Sequence, residues 1–144
     1  MAQSRRRGAP MTAPMEVGRH DEPSSRPYLA IRGAITIDAD TAALVSEATE
    51  ALIATLIERN NLTTDDVLDA FFTATPDITS DFPARTARDV SGWHDVPMLC
   101  ATEMSVGGAM PLCIRVMVHA IPRLPRAVHV YLRGAATLRP DLSS

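Results

Sequence analysis

Arg115 stands inside "LCIRVMVHAI" (residues 112–121), a run whose other members are almost all apolar. A guanidinium is permanently charged and costly to bury without a partner. The pattern recurs along the chain. Arg32 interrupts "AIRGAI", Glu103 ends "LCATE", Tyr131 sits in "VHVYLR", and Arg139 follows in "TLRPDL". Arg85 and Arg88 project from the start of a short helical stretch. Two readings of these charges are open. They pair with one another or lie at exposed strand ends, or they line a pocket for a small polyanion, whose carboxylates arginine grips at two points. Glu103 in such company is suited to holding a ligand hydroxyl or orienting an arginine. Nearby cations favour its charged form and make it a poor proton-abstracting base.

Other chemistries find little support. "VGGAM" is too short for a phosphate loop and lacks the Lys-Ser/Thr pair, so it reads as a turn. "MSVGG" and "VSGWH" lack the Gly-x-Ser-x-Gly frame of a nucleophile elbow. Cys100 beside His119 or His129 would make a nucleophilic pair, but no third group to orient it is evident. His20, His94, His119 and His129 are scattered without zinc spacing, so no metal site is expected. The two cysteines, Cys100 and Cys113, form no disulfide framework and are expected as free, mostly buried thiols of a reducing cytoplasm.

The elements that must position these residues fit in one domain of 144 residues. The net charge of −3 gives no reason to expect a nucleic-acid partner. All 14 basic residues are arginine, a bias that a GC-rich genome explains without invoking function. No apolar stretch approaches the roughly 20 residues that span a bilayer, so no membrane partner is expected. Residues 1–26 are rich in Pro, Ser, Gly and Arg without apolar periodicity, and are expected to be a disordered tail. "SRRRGAP" resembles the basic start of a signal peptide, but no apolar core follows it, so no secretion is expected. Met11 and Met15 are alternative possible starts.

The globular domain is expected over residues 27–144. "YLAIRGAITI" reads as a strand, with Gly33 inside it. Asp40 is expected to cap a long helix over residues 41–61, where Leu44, Ala48, Ala51, Leu52, Thr55 and Leu56 form one face and Asn60 and Asn61 stop it. "TTDD" (63–66) reads as a capped turn, and residues 67–75 as a second strand. Pro83 opens a shorter helix reaching residue 91. Further strands are expected at 96–104, 112–121 and 127–138. The fold class is α/β with mixed α+β character: about five strands in a mixed sheet, and two main helices. Two helices cover only one face of a sheet whose strands are apolar on both. The other face calls for a partner, most simply a second copy in a closed homo-oligomer.

Taken in order, "AIRGA", "TATPD", "FPA", "SGW", "VP", "C..EM", "GG", "CIRVM", "HVYL" and "LRPDLS" closely resemble the monofunctional chorismate mutases of the Bacillus, or AroH, class. The resemblance runs from about Ile31 to Ser143. It implies a cytoplasmic homotrimer with a pseudo-α/β-barrel arrangement and active sites in the clefts between subunits. The implied reaction is the rearrangement of chorismate to prephenate in aromatic amino-acid biosynthesis, without cofactor, metal or covalent intermediate.

Matched position by position, the resemblance implies that Arg32 and Tyr131 hold a substrate carboxylate. Arg115 faces the ether oxygen of the breaking bond, while Glu103 and Cys100 contact the region of the ring hydroxyl. Phe82, Ala84, Arg85 and Arg88 form a wall from the adjoining subunit, and Leu138 and Arg139 a C-terminal flap. Two positions depart from the pattern. Arg85 replaces a lysine, which keeps charge but not geometry. Leu99, at a substrate-contacting position, replaces a small hydroxyl residue, so contact there falls to the backbone. The alternative is a trimeric small-ligand-binding or imine-deaminating module of the same general fold, or a non-catalytic sensor of an aromatic-pathway metabolite.

Overall fold

Apolar residues alternating at two and repeating at three and four divide the chain as expected. A computed structural model describes residues 27–142; the tail of residues 1–26, with its expected disorder, lies outside the described residues. Strand β1 spans Leu29–Thr36, helix α1 Ala42–Arg59, β2 Val67–Ala74, α2 Pro83–Asp89, β3 Met98–Thr102, β4 Cys113–Ala120 and β5 Val130–Leu132. The strands form one mixed sheet in the order β3-β2-β4-β1-β5. Strand β4 runs antiparallel to both β1 and β2, whereas β3 is parallel to β2 and β5 parallel to β1.

Both helices lie on one face of this sheet. Val45, Leu52 and Leu56 of α1 pack there on Ile31 and Ile35 of β1, Phe72 of β2 and Val116 and Val118 of β4. Gly33 allows this close approach: a Cβ at that position would lie 3.0 Å from Leu52 Cδ1 and 3.1 Å from Val116 Cγ1. Trp93, almost wholly buried, closes the same layer after α2, its N–H bonded to the Ala87 carbonyl.

Register assigns side chains to the opposite face in rows. One row runs Arg32, Met117, Phe71 and Leu99 across β1, β4, β2 and β3. The next runs Tyr131, Ala34, Arg115, Thr73 and Ala101. No helix among the described residues covers these rows, and Phe71 and Leu99 are left 43% and 66% exposed. The C-terminal segment covers one end, where Ala135 and Leu138 pack with Ala34, Cys113 and Tyr131.

Three expectations need correction. Thr41, not Asp40, caps α1, its hydroxyl accepting from the Leu44 N–H at 3.2 Å. The Asp40 carboxylate is engaged instead by the N–H groups of Thr79 and Ser80 and the Thr79 hydroxyl. The fifth strand covers three residues rather than 127–138. Its approach is held out of the ladder by Asn60, which bonds both backbone groups of Val128 at 2.7–2.8 Å. Its exit is broken by Arg133, whose positive φ of 55° turns the chain into a 3-10 segment over Arg133–Leu138. Finally, both cysteines are free, but only Cys113 is buried; Cys100 is exposed because β3 is an edge strand.

Candidate active site

The charges on the strands converge on the uncovered face. Arg115 lies mid-β4, next to Thr73 of β2 in register. Glu103 follows the end of β3, where its N–H continues the ladder to the Ala74 carbonyl at 2.9 Å. Its side chain turns back across the row. Oε2 accepts from Arg115 Nη1 at 2.5 Å, and Oε1 accepts from the Thr73 hydroxyl at 2.7 Å. The Arg115 and Glu103 side chains are 29% and 14% exposed, so water screens this pair only in part. The anionic partner that Arg115 needs is thus Glu103, and it occupies only part of a guanidinium with five N–H donors.

Beside this pair, Arg32, Phe71, Thr73, Arg115 and Met117 line a cleft of about 280 Å³. Arg32 makes no ion pair among the described residues. Its backbone N–H donates to His129 Nδ1 at 3.0 Å, which places the ring proton of a neutral His129 on Nε2. Burial pushes the His129 pKa below the usual histidine value, and the positive charges of Arg32 and Arg139 push it the same way. Tyr131 shares the Arg115 row, and its hydroxyl is buried without a hydrogen-bond partner among the described residues. A buried phenol in that state is a ready donor for a ligand. Leu138 packs against the same cluster, and Arg139 is paired with Asp141 at 2.9 Å.

The remaining expected residues lie elsewhere. Cys100 pairs with Phe72, a helix-side residue, and therefore points to the covered side of the sheet. There Phe72, Ile78, Phe82, Arg85, Cys100 and Thr102 line a second pocket of about 330 Å³. Phe82 is exposed, and the Arg85 guanidinium lies 5.8 Å from its ring centroid and 3.4 Å from Asp81. The loop bearing Phe82 is tied to the start of α1 through Asp40, whose pKa the Ser80 and Thr79 hydrogen bonds lower to about 2. Ala84 packs partly into the core, and Arg88 turns to Asp89 at 3.0 Å. Leu99 is on the uncovered face in line with Phe71.

One chain therefore presents the expected residues in two groups on opposite faces of the sheet. Arg32, Glu103, Arg115 and Tyr131 share one; Phe82, Arg85 and Cys100 share the other. Cys100 and His119 are likewise on opposite faces, which removes that nucleophilic pair. Thr73 is the residue the sequence reading missed. Its position in "TATPD", on a strand paired with the one carrying Arg115, was the available signal.

Comparison with known proteins bears on the family and the fold. The family described as chorismate mutase type I matches residues 28–142. The chain is 42% identical over 115 residues to "Chorismate mutase AroH" of Bacillus subtilis (strain 168), covering 78% of this chain and 91% of that protein. It is 45% identical over 117 residues to "Chorismate mutase AroH" of Thermus thermophilus, covering 79% and 95%. Among solved structures, a chorismate mutase from Clostridium thermocellum superposes with a TM-score of 0.72 at 38% identity, covering 75% of this chain and 97% of that one. By sequence, fold and the matching extent of the whole domain, this chain belongs to the chorismate mutase type I family.

Proposed function

We propose that this chain rearranges chorismate to prephenate, as an isomerase of aromatic amino-acid biosynthesis, in sites completed by neighbouring copies of a cytoplasmic homotrimer. Membership of the family and the relatives' names support the reaction. The observation that carries it is Arg115: a cation half-hidden on a rigid strand, held at one point by Glu103, with Arg32, which makes no ion pair among the described residues, beside it. In the rearrangement a C–O bond lengthens before the new C–C bond is complete, so negative charge grows on the ether oxygen. A fixed guanidinium there binds the transition state more strongly than the ground state. Arg32 and Tyr131 suit a carboxylate, holding the enolpyruvyl arm over the ring. Glu103 suits the ring hydroxyl.

The two half-sites on opposite faces support assembly. Joining the Phe82–Arg85–Cys100 half of one copy to the Arg115 half of the next would surround a ligand that neither half encloses. The exposed Phe71 and Leu99 supply apolar surface for such contacts. The test is direct: purified protein is mixed with chorismate, and loss of the diene absorbance is followed. Turnover above the uncatalysed rate is expected, and its absence would leave only a binding module. Light scattering at micromolar concentration should give three times the chain mass, and a monomer would refute the shared site.

A further inference from the structure

We infer that Thr73 is a positioning residue that sets how Glu103 meets Arg115, and through it how much of the Arg115 guanidinium is left for the substrate. This rests on the reading of the site as a chorismate mutase centre. The Glu103 carboxylate is divided between two donors: Oε2 goes to Arg115 and Oε1 to the Thr73 hydroxyl. A carboxylate and a guanidinium left to themselves favour a two-point fork, with both oxygens on two N–H groups. Thr73 withholds one oxygen from that fork. It does so from a stiff, β-branched side chain on a central strand, in register with Arg115 and with Ala101. The guanidinium is thereby kept in place by one contact and retains donors for an oxygen that becomes charged only during reaction. A hydroxyl-free residue here would let Glu103 swing and claim the arginine for itself.

The test compares Thr73→Val with Thr73→Ser, using chorismate turnover, melting temperature and crystal structures. Valine keeps shape and strand preference but has no donor; serine keeps the donor but loses the methyl group. A hydrogen bond to a charged group sets the scale, so Thr73→Val should lose about ten- to hundredfold in kcat/KM, mostly in kcat, at unchanged melting temperature. Thr73→Ser should restore most of the rate. A merely structural role for Thr73 orders the variants the other way, with valine at or above wild type and serine worse; that order overturns the inference. In a Glu103→Gln background the valine change should lose most of its effect, and an undiminished effect would also overturn it. The crystal structures separate this inference from the assigned reaction. If the wild-type chain turns over no chorismate, the reaction is wrong, yet a Glu103 that shifts towards Arg115 in Thr73→Val still supports the positioning role. A Glu103 that does not move refutes it, whatever the activity.

Discussion

Arg115→Lys separates charge from geometry at the centre of the site. Arginine offers five N–H donors on a planar fork, and here Nη1 is bonded to Glu103 Oε2 at 2.5 Å. Lysine carries its charge on one nitrogen. With Glu103 held by Thr73 in the same row, that nitrogen is drawn to the carboxylate and away from the ether oxygen. The ion pair survives and the contact to the reacting bond does not. Loss of one preorganised donor at a developing oxyanion is worth about 2.7–4 kcal/mol, so kcat should fall roughly 100- to 1000-fold. Because the pair with Glu103 persists, stability should change by less than about 1 kcal/mol, a shift of a few degrees in Tm. Arg115→Ala should lose the rate and also about 1–3 kcal/mol of stability, since Glu103 is left mostly buried without its cation. The assays are the chorismate absorbance decay and a thermal melt, with light scattering to check assembly. A lysine variant within tenfold of wild-type kcat, with Tm and assembly unchanged, would refute the claim that fork geometry rather than charge serves the reaction.

Other consequences are as concrete. Mixing two inactive variants, Arg85→Ala and Arg115→Ala, through unfolding and refolding should recover up to about a quarter of wild-type activity, because random assembly builds that share of sites from two intact halves. No recovery, with mixed trimers demonstrated, would place both halves of each site in one chain. His129 is held neutral by burial and by Arg32 and Arg139, with its pKa lowered from 6.5. Its contribution to stability is therefore present above pH 6.5 and is lost as pH falls from there through the folded-state value. The difference in melting temperature between wild type and His129→Asn should shift with that sign across pH 5–7, and a flat difference would contradict it. Gly33→Ala would press a methyl group against Leu52 and Val116, so about 1–3 kcal/mol of destabilisation is expected in a denaturant titration.

Much of this was legible in the residues because local pattern and global fold agree. The order of elements, the helix at Pro83 and the charged strand positions follow from periodicity and turn chemistry. What escaped was decided by distant contacts. Asn60 looked like a helix stop and is one, but it also holds Val128 out of the fifth strand across 68 residues of sequence. Asp40 looked like a cap because its real partners, Thr79 and Ser80, lie 39 and 40 residues on. The separation of Cys100 from Glu103 was within reach: an odd spacing of three along an extended chain sends side chains to opposite faces. Thr73 escaped because an isolated threonine in a strand signals only β-preference until the carboxylate opposite it is located.

The Tyr131 hydroxyl carries a lesson for laboratory evolution. A buried phenol without a hydrogen-bond partner among the described residues weakens the fold by about 1–3 kcal/mol relative to a plain ring. Tyr131→Phe should therefore melt higher when empty, yet gain less from an added ligand than the parent does. A library sorted by heat alone would enrich phenylalanine at this position and drift towards sturdy, poorly performing descendants. Sorting with substrate present should reverse that preference, since the proposed carboxylate contact gives the hydroxyl a partner in the complex.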